Sequence, residues 1–360
     1  MNAPKRRSSD RPTIAVVDIF CGAGGLTHGL IQEDLNVVAG LDSDGSCRYA
    51  YEHNNRGAKF IHQDIESVDA QDISSLYPNG ALKVLVGCAP CQPFSSYTKK
   101  QRPPGEKWKL LASFADLIEA VDPAIVSMEN VVELENFNHG TIYGGFVARL
   151  EKLGHQVTSY HVYCPDYGVP QHRRRLVLFA SKRGAISLVQ PTHTKARYKT
   201  VKDAIRHLPP VNAGSVDSID PCHRARALDD VNMRRIRQSR PGGSWEDWDA
   251  ELRSKCHVKA SGGTFRSVYG RMTWNEPAPT ITTQSHAYGT GRFGHPEQDR
   301  ALTLREAAIL QTFPPHYEFV GPDDKWSLKT VARHIGNAVP PALGQVIARS
   351  IKRHLEEYDG

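Results

Sequence analysis

Residues 18–26 read Asp18-Ile19-Phe20-Cys21-Gly22-Ala23-Gly24-Gly25-Leu26, a glycine-rich turn between two apolar segments. The segment before it, Thr13 to Ile19, is typical of a buried strand, and the segment after it, Leu26 to Leu35, has the apolar spacing of a helix. Val37 to Leu41 is the next predicted strand. A strand, a helix and a strand in this order predict parallel pairing with a crossover helix. We therefore expect an α/β fold built on a doubly wound sheet.

The chain continues with further elements of the same kinds. Four more strands and one long helix are predicted: Lys83 to Gly87, Ala124 to Met128, His155 to Cys164, Arg175 to Ser181, and the helix Leu110 to Val121. Thr303-Leu304-Arg305-Glu306 is a capping-box pattern that opens a helix running to Leu310. Pro340-Pro341 starts a final helix, whose apolar face we expect to pack on the sheet. That face consists of Leu343, Ile347, Ile351 and Leu355.

Composition indicates a soluble protein of the cytoplasm. The chain has 360 residues, of which 39% are hydrophobic, enough for two or three domains. Its seven cysteines are an odd number, thinly spread and without a secretory signal, so we expect a reducing compartment and no disulfide framework. No apolar run is long enough to cross a bilayer, which predicts no membrane association. The net charge of +6 permits a polyanionic partner.

The chain divides by composition into three parts. Residues 1–11 are polar and basic with no apolar periodicity, and we expect a disordered tail there. Between residues 185 and 324, glycines and prolines break the pattern into short pieces, as in a separate, smaller, loop-rich domain. The predicted division is therefore residues 12–184 with 325–360 as the main domain, and residues 185–324, including the return hinge, as the second.

The glycine-rich turn has the features of a cofactor-binding loop, although structural turns also use glycine. Asp42 follows the turn by about twenty residues, where such sheets place a carboxylate that holds ribose hydroxyls. The dinucleotide fingerprint would have a glycine at position 27, where this chain has Thr27. We therefore expect an adenosine cofactor other than NAD. Asp64, in Gln63-Asp64-Ile65, is a candidate partner for the adenine amino group.

A second informative stretch is Gly87-Cys88-Ala89-Pro90-Cys91-Gln92-Pro93-Phe94-Ser95, at the end of a predicted strand. Pro90 and Pro93 fix the backbone on both sides of Cys91, as expected for a nucleophile on a stiff support. Two alternatives remain from these residues alone. One is an ordinary buried cysteine, and the other is a Cys88-x-x-Cys91 pair for zinc or thiol redox chemistry.

Six motifs follow one another along the chain. They are Gly22-x-Gly24-Gly25, Pro90-Cys91-Gln92, Glu129-Asn130-Val131, Gln171-x-Arg173-x-Arg175, the segment Arg300 to Pro314, and Gly336-Asn337-Ala338-Val339-Pro340. In this order they resemble the motif series of the bacterial DNA (cytosine-5)-methyltransferase family, from about Val17 to Leu343, broken mainly between Ser181 and Trp274. Ala89 departs from the pattern, because many relatives have a second proline there. The resemblance implies a Rossmann-like, S-adenosylmethionine-dependent catalytic domain split by a target-recognition domain.

The resemblance also implies the reaction. A methyl group passes from S-adenosylmethionine to C5 of a flipped-out cytosine in a specific double-stranded DNA sequence, with S-adenosylhomocysteine as product. Cytosine C5 is a poor nucleophile, so a thiolate must first add at C6 to activate the ring. Cys91 is the expected thiolate, and Glu129 the carboxyl group at N3 of the base. Arg175 is expected beside the cytosine, and Arg173 is expected to hold Glu129 or the loop.

The other expected contacts fall into two sets. The cofactor contacts are Phe20, Gly22, Gly24, Gly25, Leu26, Asp42, Asp64, Ile65, Pro90, Leu110, Asn337 and Val339. The DNA contacts are Gln92, Ser95, Gln171, Thr280 and Thr282. Alternation along the strand that begins at Arg175 places Gln171, Arg173 and Arg175 on one face. The polar stretch Ser95 to Trp108 is expected to close over DNA, because the target base must leave the stack to react.

Residues 185–324 are expected to read the DNA sequence. Arginines and tryptophans are mixed here, a combination suited to phosphates and base edges: Arg224, Arg226, Arg234, Arg235, Arg237, Arg240, Arg253, Arg266, Trp245 and Trp248. Cys222-His223 and Cys256-His257 lack a paired ligand spacing, so no metal site is expected. We further expect a monomer that binds double-stranded DNA, with a cognate restriction endonuclease as a candidate partner.

Two other functions share parts of this pattern. A tRNA cytosine-5 methyltransferase has the same catalytic core, but that branch typically carries a Cys-Phe-Thr element, which this sequence lacks. A non-catalytic nucleic-acid-binding paralogue would be expected to have lost Cys91, Glu129 or Arg175, and all three are present. These observations favour a DNA cytosine-5 methyltransferase and leave its recognition sequence open.

Overall fold

A seven-stranded sheet with helices on both faces forms the centre of the fold. The computed structural model describes residues 13–90, 109–259 and 266–359. The strands of the sheet are β1 (Ile14–Ile19), β2 (Asn36–Asp42), β3 (Lys59–His62), β4 (Leu82–Gly87), β5 (Ile125–Asn130), β6 (Gln156–Tyr163) and β8 (Arg174–Ser181). Two short strands, β7 (Gln171–His172) and β9 (Ala278–Pro279), pair with each other outside it.

The helices of the main domain cover the two faces of this sheet. They are α1 (Gly25–Gln32), α2 (Arg48–Asn54), α3 (Ala70–Ser75), α4 (Lys109–Val121), α5 (Thr141–Lys152) and α10 (Pro341–Asp359). Four further helices lie between β8 and α10: α6 (Val201–Ile205), α7 (Asp230–Gln238), α8 (Leu304–Leu310) and α9 (Leu328–Asn337). Within the described residues, no helix is long and apolar enough to span a membrane.

The sheet has the strand order β3-β2-β1-β4-β5-β8-β6. β1 pairs in parallel with both β2 and β4, and β4 pairs in parallel with β5. Successive strands therefore follow one another outward from β1 to β3 on one side of the sheet, and the chain then returns to the other side of β1 with β4. Ligands of such sheets bind outside the carboxyl ends of the strands at this switch point. The predicted doubly wound fold is confirmed.

The last two strands depart from the expected parallel arrangement. β8 pairs antiparallel with both β5 and β6. Only residues 164–173 connect β6 to β8, which is too short for the crossover that parallel strands require. The chain therefore turns back directly, and the residues that begin β8 arrive at the edge of the sheet where β5 ends.

The final helix packs as its apolar pattern predicts. Leu343, Ile347, Ile351 and Leu355 are all buried in one cluster with side chains of the sheet. α10 also lies against α1 at very short range, because a Cβ at Gly29 would collide with the backbone of Pro341. Burying four such side chains stabilises the fold by roughly 1.5–3 kcal/mol each, before entropic costs.

The region between β8 and α8 consists of short pieces around its own small core. Ile236, Trp245, Trp248 and Tyr288 form that core. At its start, however, the chain still belongs to the main domain, since Ile186 lies in the core of the sheet and the Val189 amide donates to Ser350 Oγ at 3.1 Å. The division at residues 184 and 325 stays a prediction, and these contacts favour a boundary a few residues later than 184.

A buried ion pair joins this region to α8. Glu306 completes the predicted capping box with Thr303, and its two carboxylate oxygens accept from Arg300 at 2.7 and 2.8 Å. Arg300 Nε also donates to the Val211 carbonyl at 2.8 Å. His295 is buried beside the pair, with Nε2 3.7 Å from Glu306. Because its Nδ1 accepts from two backbone amides, this ring is held neutral.

The neutral state of His295 predicts a loss of stability in acid. Burial lowers the pKa of His295 from 6.5 to about 4. The unfolded chain therefore binds a proton at this site before the folded chain does, and stability falls as the pH drops from 6.5 toward 4. We expect about 3 kcal/mol of this loss to come from His295. Denaturant unfolding measured from pH 7 to pH 4 tests this expectation.

His295→Asn is the matched control, because the asparagine amide oxygen can replace Nδ1 as acceptor but does not titrate. The variant should lose less stability than the wild type between pH 6.5 and 4. Identical pH dependence in the two proteins would contradict the assignment.

Candidate active site

A cavity of about 330 Å³ opens at the switch point of the sheet. Its walls come from the turn after β1, the carboxyl ends of β2, β4 and β5, the start of β8, and the end of α9. Most of the predicted site residues line it: Phe20, Gly22, Leu26, Asp42, Asp64, Ile65, Pro90, Leu110, Glu129, Arg173, Arg175, Asn337 and Val339. The cavity thus brings the expected cofactor residues and Glu129 into one space.

Asp42 is held in a fixed position at the cavity wall. Its Oδ2 accepts from the Gly22 amide and its Oδ1 from the Asp44 amide, both at 2.8 Å. Gly22 has a φ of 51°, a left-handed conformation that turns its amide toward this carboxylate and that glycine adopts most easily. Partial burial raises the pKa of Asp42. Each oxygen keeps a free lone pair, so the carboxylate can accept further hydrogen bonds from a ligand.

Asp18 is an acidic group in the cavity that sequence analysis did not assign. It is fully buried, and Thr27 Oγ1 donates to its Oδ2 at 2.7 Å. Its Oδ1 has no hydrogen-bond partner among the described residues. Burial raises the pKa of Asp18 to about 7. The signal in the sequence is one aspartate in an otherwise apolar strand, since buried carboxyl groups are rare unless they have a partner or a ligand.

Gly24 and Gly25 are not part of the cavity wall, and their contact with the cofactor stays a prediction. A Cβ at Gly25 would collide with the Val339 carbonyl, and one at Gly24 would lie 3.1 Å from the ring of Tyr51 and from the hydroxyl of Tyr317. Gly24 also has a φ of 88°. These glycines are needed because other parts of the protein approach the turn so closely.

Glu129 lies at the end of β5 between a thiol and a guanidinium group. It is buried, the Cys88 thiol donates to its Oε2 at 2.9 Å, and Arg175 Nε lies 3.0 Å from its Oε1. The neighbouring Asn130 donates from Nδ2 to the Ala89 carbonyl at 3.1 Å, which fixes the start of the loop that carries Cys91. The arrangement holds one carboxyl group in a fixed orientation beside Cys88, at the end of β4.

Two residues of the Gln171-x-Arg173-x-Arg175 motif connect parts of the protein. Gln171 is fully buried; it donates to the Leu310 carbonyl at 2.9 Å and accepts from the Ile281 amide at 3.1 Å. Protein groups use both ends of its amide, and the expected contact of Gln171 with DNA stays a prediction. Arg173 lines the cavity and donates to the carbonyls of Ile281 (3.4 Å) and Ala338 (3.2 Å), while the carboxylate contact of Glu129 is made by Arg175.

Many of the arginines between residues 185 and 324 are bound within the protein. Arg235 lies over the rings of Trp248 and Tyr269, at 5.5 and 5.2 Å, and Trp245 and Trp248 are buried. Four more form ion pairs: Arg234 with Glu251, Arg237 with Asp299, Arg240 with Asp247, and Arg266 with Glu246. The tryptophans build the core of this region, whereas the ion-paired arginines stay exposed, and their expected role in reading DNA stays a prediction.

Comparison with known proteins agrees with this geometry. The sequence profile described as C-5 cytosine-specific DNA methylase matches residues 14–353. The chain belongs to this family. It is 56% identical to the Type II methylase M.HgiDII of Herpetosiphon aurantiacus, over 95% of this chain and 96% of that protein. It is 31% identical to the Type II methyltransferase M.NgoFVII of Neisseria gonorrhoeae, over 96% of this chain and 87% of that protein.

The fold has relatives among solved structures. A DNA modification methyltransferase encoded within an E. coli prophage aligns with a TM-score of 0.73 at 20% identity, over 95% of this chain and 99% of that one. At this identity the match shows the fold alone. The family match makes this chain a DNA cytosine-5 methyltransferase, as the sequence motifs predict.

Five further predicted site residues of this methylase do not line the cavity as described. Cys91, Gln92 and Ser95 fall outside the described residues, as does the stretch up to Trp108. Thr282 is exposed, and Thr280 donates from its hydroxyl to the His172 carbonyl at 2.5 Å. The roles of these five residues in catalysis or DNA contact stay predictions.

One cluster in the methylase has the composition of a metal site. Ligand atoms of Asp44, Cys47 and His334 lie within 4.8 Å of one another at the rim of the cavity. Arg333 already binds the Asp44 carboxylate at 2.6 Å, so its positive charge occupies the place where a cation would bind. We therefore assign no metal to this cluster.

The contact between Cys88 and Glu129 predicts a role for the thiol. Cys88→Ala removes the hydrogen bond to a charged acceptor and should lower the rate of methyl transfer at saturating substrates by roughly tenfold. Cys88→Ser keeps a donor and should retain most of the rate. Steady-state kinetics on plasmid DNA would separate the effect on kcat from that on KM.

The exposed Cys256 provides the control for this experiment. Cys256→Ala should have wild-type kinetics. A Cys88→Ala protein that folds and turns over at the wild-type rate would show that the thiol does not support Glu129.

Proposed function

We propose that this methylase transfers a methyl group from S-adenosylmethionine to C5 of a flipped-out cytosine in a specific double-stranded DNA sequence. The single observation that carries this proposal is the cavity that joins Asp42 and Asp18 at one end to Glu129 and Arg175 at the other. Membership in the C-5 cytosine-specific DNA methylase family supports the same reaction.

The residues of the cavity fit S-adenosylmethionine. Asp42 has lone pairs available for ribose hydroxyls, and Asp64 and Ile65 lie where they would meet the adenine edge. Phe20 and Leu110 supply apolar wall, and Asn337 and Val339 close the opposite side. The unpartnered Oδ1 of Asp18 would accept a hydrogen bond from the ammonium group of the cofactor. The bound cofactor would supply the methyl group.

The catalytic steps assigned to the chain follow from the position of Glu129. Cys91 Sγ would bond to cytosine C6, which moves an electron pair toward C5 and builds negative charge at N3 and O2 of the ring. Glu129 would hold a proton at N3 and so stabilise this charge. Arg175, in contact with Glu129, would keep that carboxyl group oriented. After C5 is methylated, loss of the C5 proton restores the double bond and expels Cys91.

The DNA and cellular roles are parts of the same proposal. M.HgiDII, at 56% identity, is named a Type II methylase, and we infer that this chain likewise acts as a modification enzyme beside a cognate restriction endonuclease. We infer that it acts as a monomer in the bacterial cytoplasm. Residues 185–324, with Thr280 and Thr282, would form the recognition side, and Gln92 and Ser95 would contact DNA from the loop after Cys91.

The first test is methylation by the intact chain and by Cys91→Ser. DNA from cells that express the wild type should show protected cytosines by bisulfite sequencing, always within one short sequence. Cys91→Ser should protect none, because a hydroxyl is a far weaker nucleophile than a thiolate, while its melting temperature stays unchanged. Full protection by the serine variant would contradict a covalent route through Cys91.

The second test concerns the cofactor and uses no activity measurement. S-adenosylmethionine should raise the melting temperature of the wild type, since a ligand that binds only the folded state stabilises it. Asp42→Ala should show a smaller rise, because hydrogen bonds to the ribose are lost. Asp42→Asn keeps one acceptor oxygen for the backbone amides of the turn. Comparing it with Asp42→Ala therefore separates the loss of hydrogen bonds to the ribose from disruption of the turn. Glu151→Ala, an exposed change away from the cavity, is the control.

If S-adenosylmethionine raises the melting temperature of Asp42→Ala as much as that of the wild type, Asp42 does not contact the cofactor. An equal rise with NAD would contradict the choice of cofactor.

A further inference from the structure

An exposed cationic and aromatic cluster lies at the start of β8. The guanidinium carbon of Arg174 lies 4.7 Å from the centre of the Tyr163 ring. The Tyr163 hydroxyl is 2.6 Å from His172 Nδ1, and the two rings are inclined by only 19°. We call these three residues the Arg174 cluster. None of them was assigned a role from the sequence.

The cluster borders the active site without lining it. Arg174 is followed by Arg175, which contacts Glu129, but successive side chains of a strand point to opposite faces. Leu176 pairs with Asn130, the last residue of β5. Arg174 precedes Leu176 by two residues in the strand, so it lies about 7 Å beyond the end of β5. It is therefore at the same edge of the sheet as the loop that carries Cys91.

The same cluster is connected to residues 185–324, the proposed recognition side. β7, which contains His172, pairs in parallel with β9. Just after β9, Thr280 donates from its hydroxyl to the carbonyl of His172. The cluster therefore lies where the start of β8 meets the segment that follows β9.

Arg174 is charged and oriented but has no acidic partner among the described residues. Asp166, a nearby carboxylate, accepts from the Tyr198 hydroxyl at 2.5 Å. The guanidinium group is held against the Tyr163 ring, and because Arg174 is exposed, its N–H donors remain accessible to a ligand from solvent. A planar fork of donors held in this way matches the oxygens of a phosphate. Arg234 and Arg240, by contrast, form ion pairs within the recognition region.

We propose that the Arg174 cluster binds a phosphodiester of the DNA strand that carries the target cytosine. The inference rests on the proposed function, because it takes DNA at this edge of the sheet as given. Tyr163 and His172 are positioning residues, and Arg174 makes the contact. The contact fixes the strand and takes no part in the chemistry, so it acts on affinity and KM rather than on kcat.

The test compares Arg174→Gln with Arg56→Gln. Arg56 is also exposed and without a partner among the described residues, but it precedes β3 and so lies at the opposite edge of the sheet. Both changes remove one positive charge. Duplex binding is measured by fluorescence anisotropy at several salt concentrations, with S-adenosylhomocysteine present. Melting temperatures check that both variants fold.

Arg174→Gln should weaken binding about tenfold and reduce the slope of log Kd against log salt by about one, with kcat unchanged. Arg56→Gln should keep the wild-type slope. Arg174→Lys should fall between the wild type and Arg174→Gln, because it keeps the charge but loses the planar fork. Equal slopes in Arg174→Gln and Arg56→Gln would overturn the proposal.

A second measurement identifies the ligand atom. A single uncharged methylphosphonate linkage is moved along the target strand of the duplex. At one position, wild type and Arg174→Gln should bind equally well, because the phosphate charge that Arg174 contacts is already gone. If the tenfold difference persists at every position, Arg174 contacts a base or a protein group instead. If the wild type binds DNA in this way but methylates no cytosine, the proposed function fails while the phosphate contact stands.

Discussion

The close contact between the glycine-rich turn and the segment after α9 determines how the active site is built. Gly25 faces the Val339 carbonyl, and Gly336 faces the backbone of Thr282 and Thr283, each at a distance that leaves no space for a Cβ. Residues more than three hundred positions apart therefore share the wall of one cavity. Any side chain larger than hydrogen at these two positions would force the turn, α9 and the recognition side apart.

This packing explains why some motif residues connect protein segments instead of binding a ligand. Arg173 donates to the carbonyls of Ile281 and Ala338, and Gln171 bonds to residues 281, 310 and 311. Together they hold the recognition side against the end of α9. Arg175, the last residue of the motif, contacts Glu129. One short motif thus links the segment around Ile281 to the end of α9 and also contacts the carboxyl group of Glu129.

Much of the fold follows from local sequence patterns. The turn at residues 20–25, the first strands, the capping box at Thr303 and the apolar face of α10 were all predicted, because each depends on near neighbours and on burial. The antiparallel pairing of β8 was missed, since the direction of a strand depends on the length of its connection. The structural roles of Gly24, Gly25 and Gln171 were also missed, because they depend on segments far away in sequence. Asp18 and Cys88 are single residues whose importance appears only from what lies beside them.

The central claim is that Cys91, which follows the anchored residue Ala89 by two positions in the sequence, forms a bond to the target cytosine. DNA that carries 5-fluorocytosine at the target position tests this claim most directly, because the fluorine blocks the final loss of a proton from C5. With S-adenosylmethionine present, the account predicts a covalent protein–DNA complex, and peptide mass spectrometry should place the linkage on Cys91. Attachment to Cys88, or no complex with an enzyme that methylates ordinary DNA, would contradict the account.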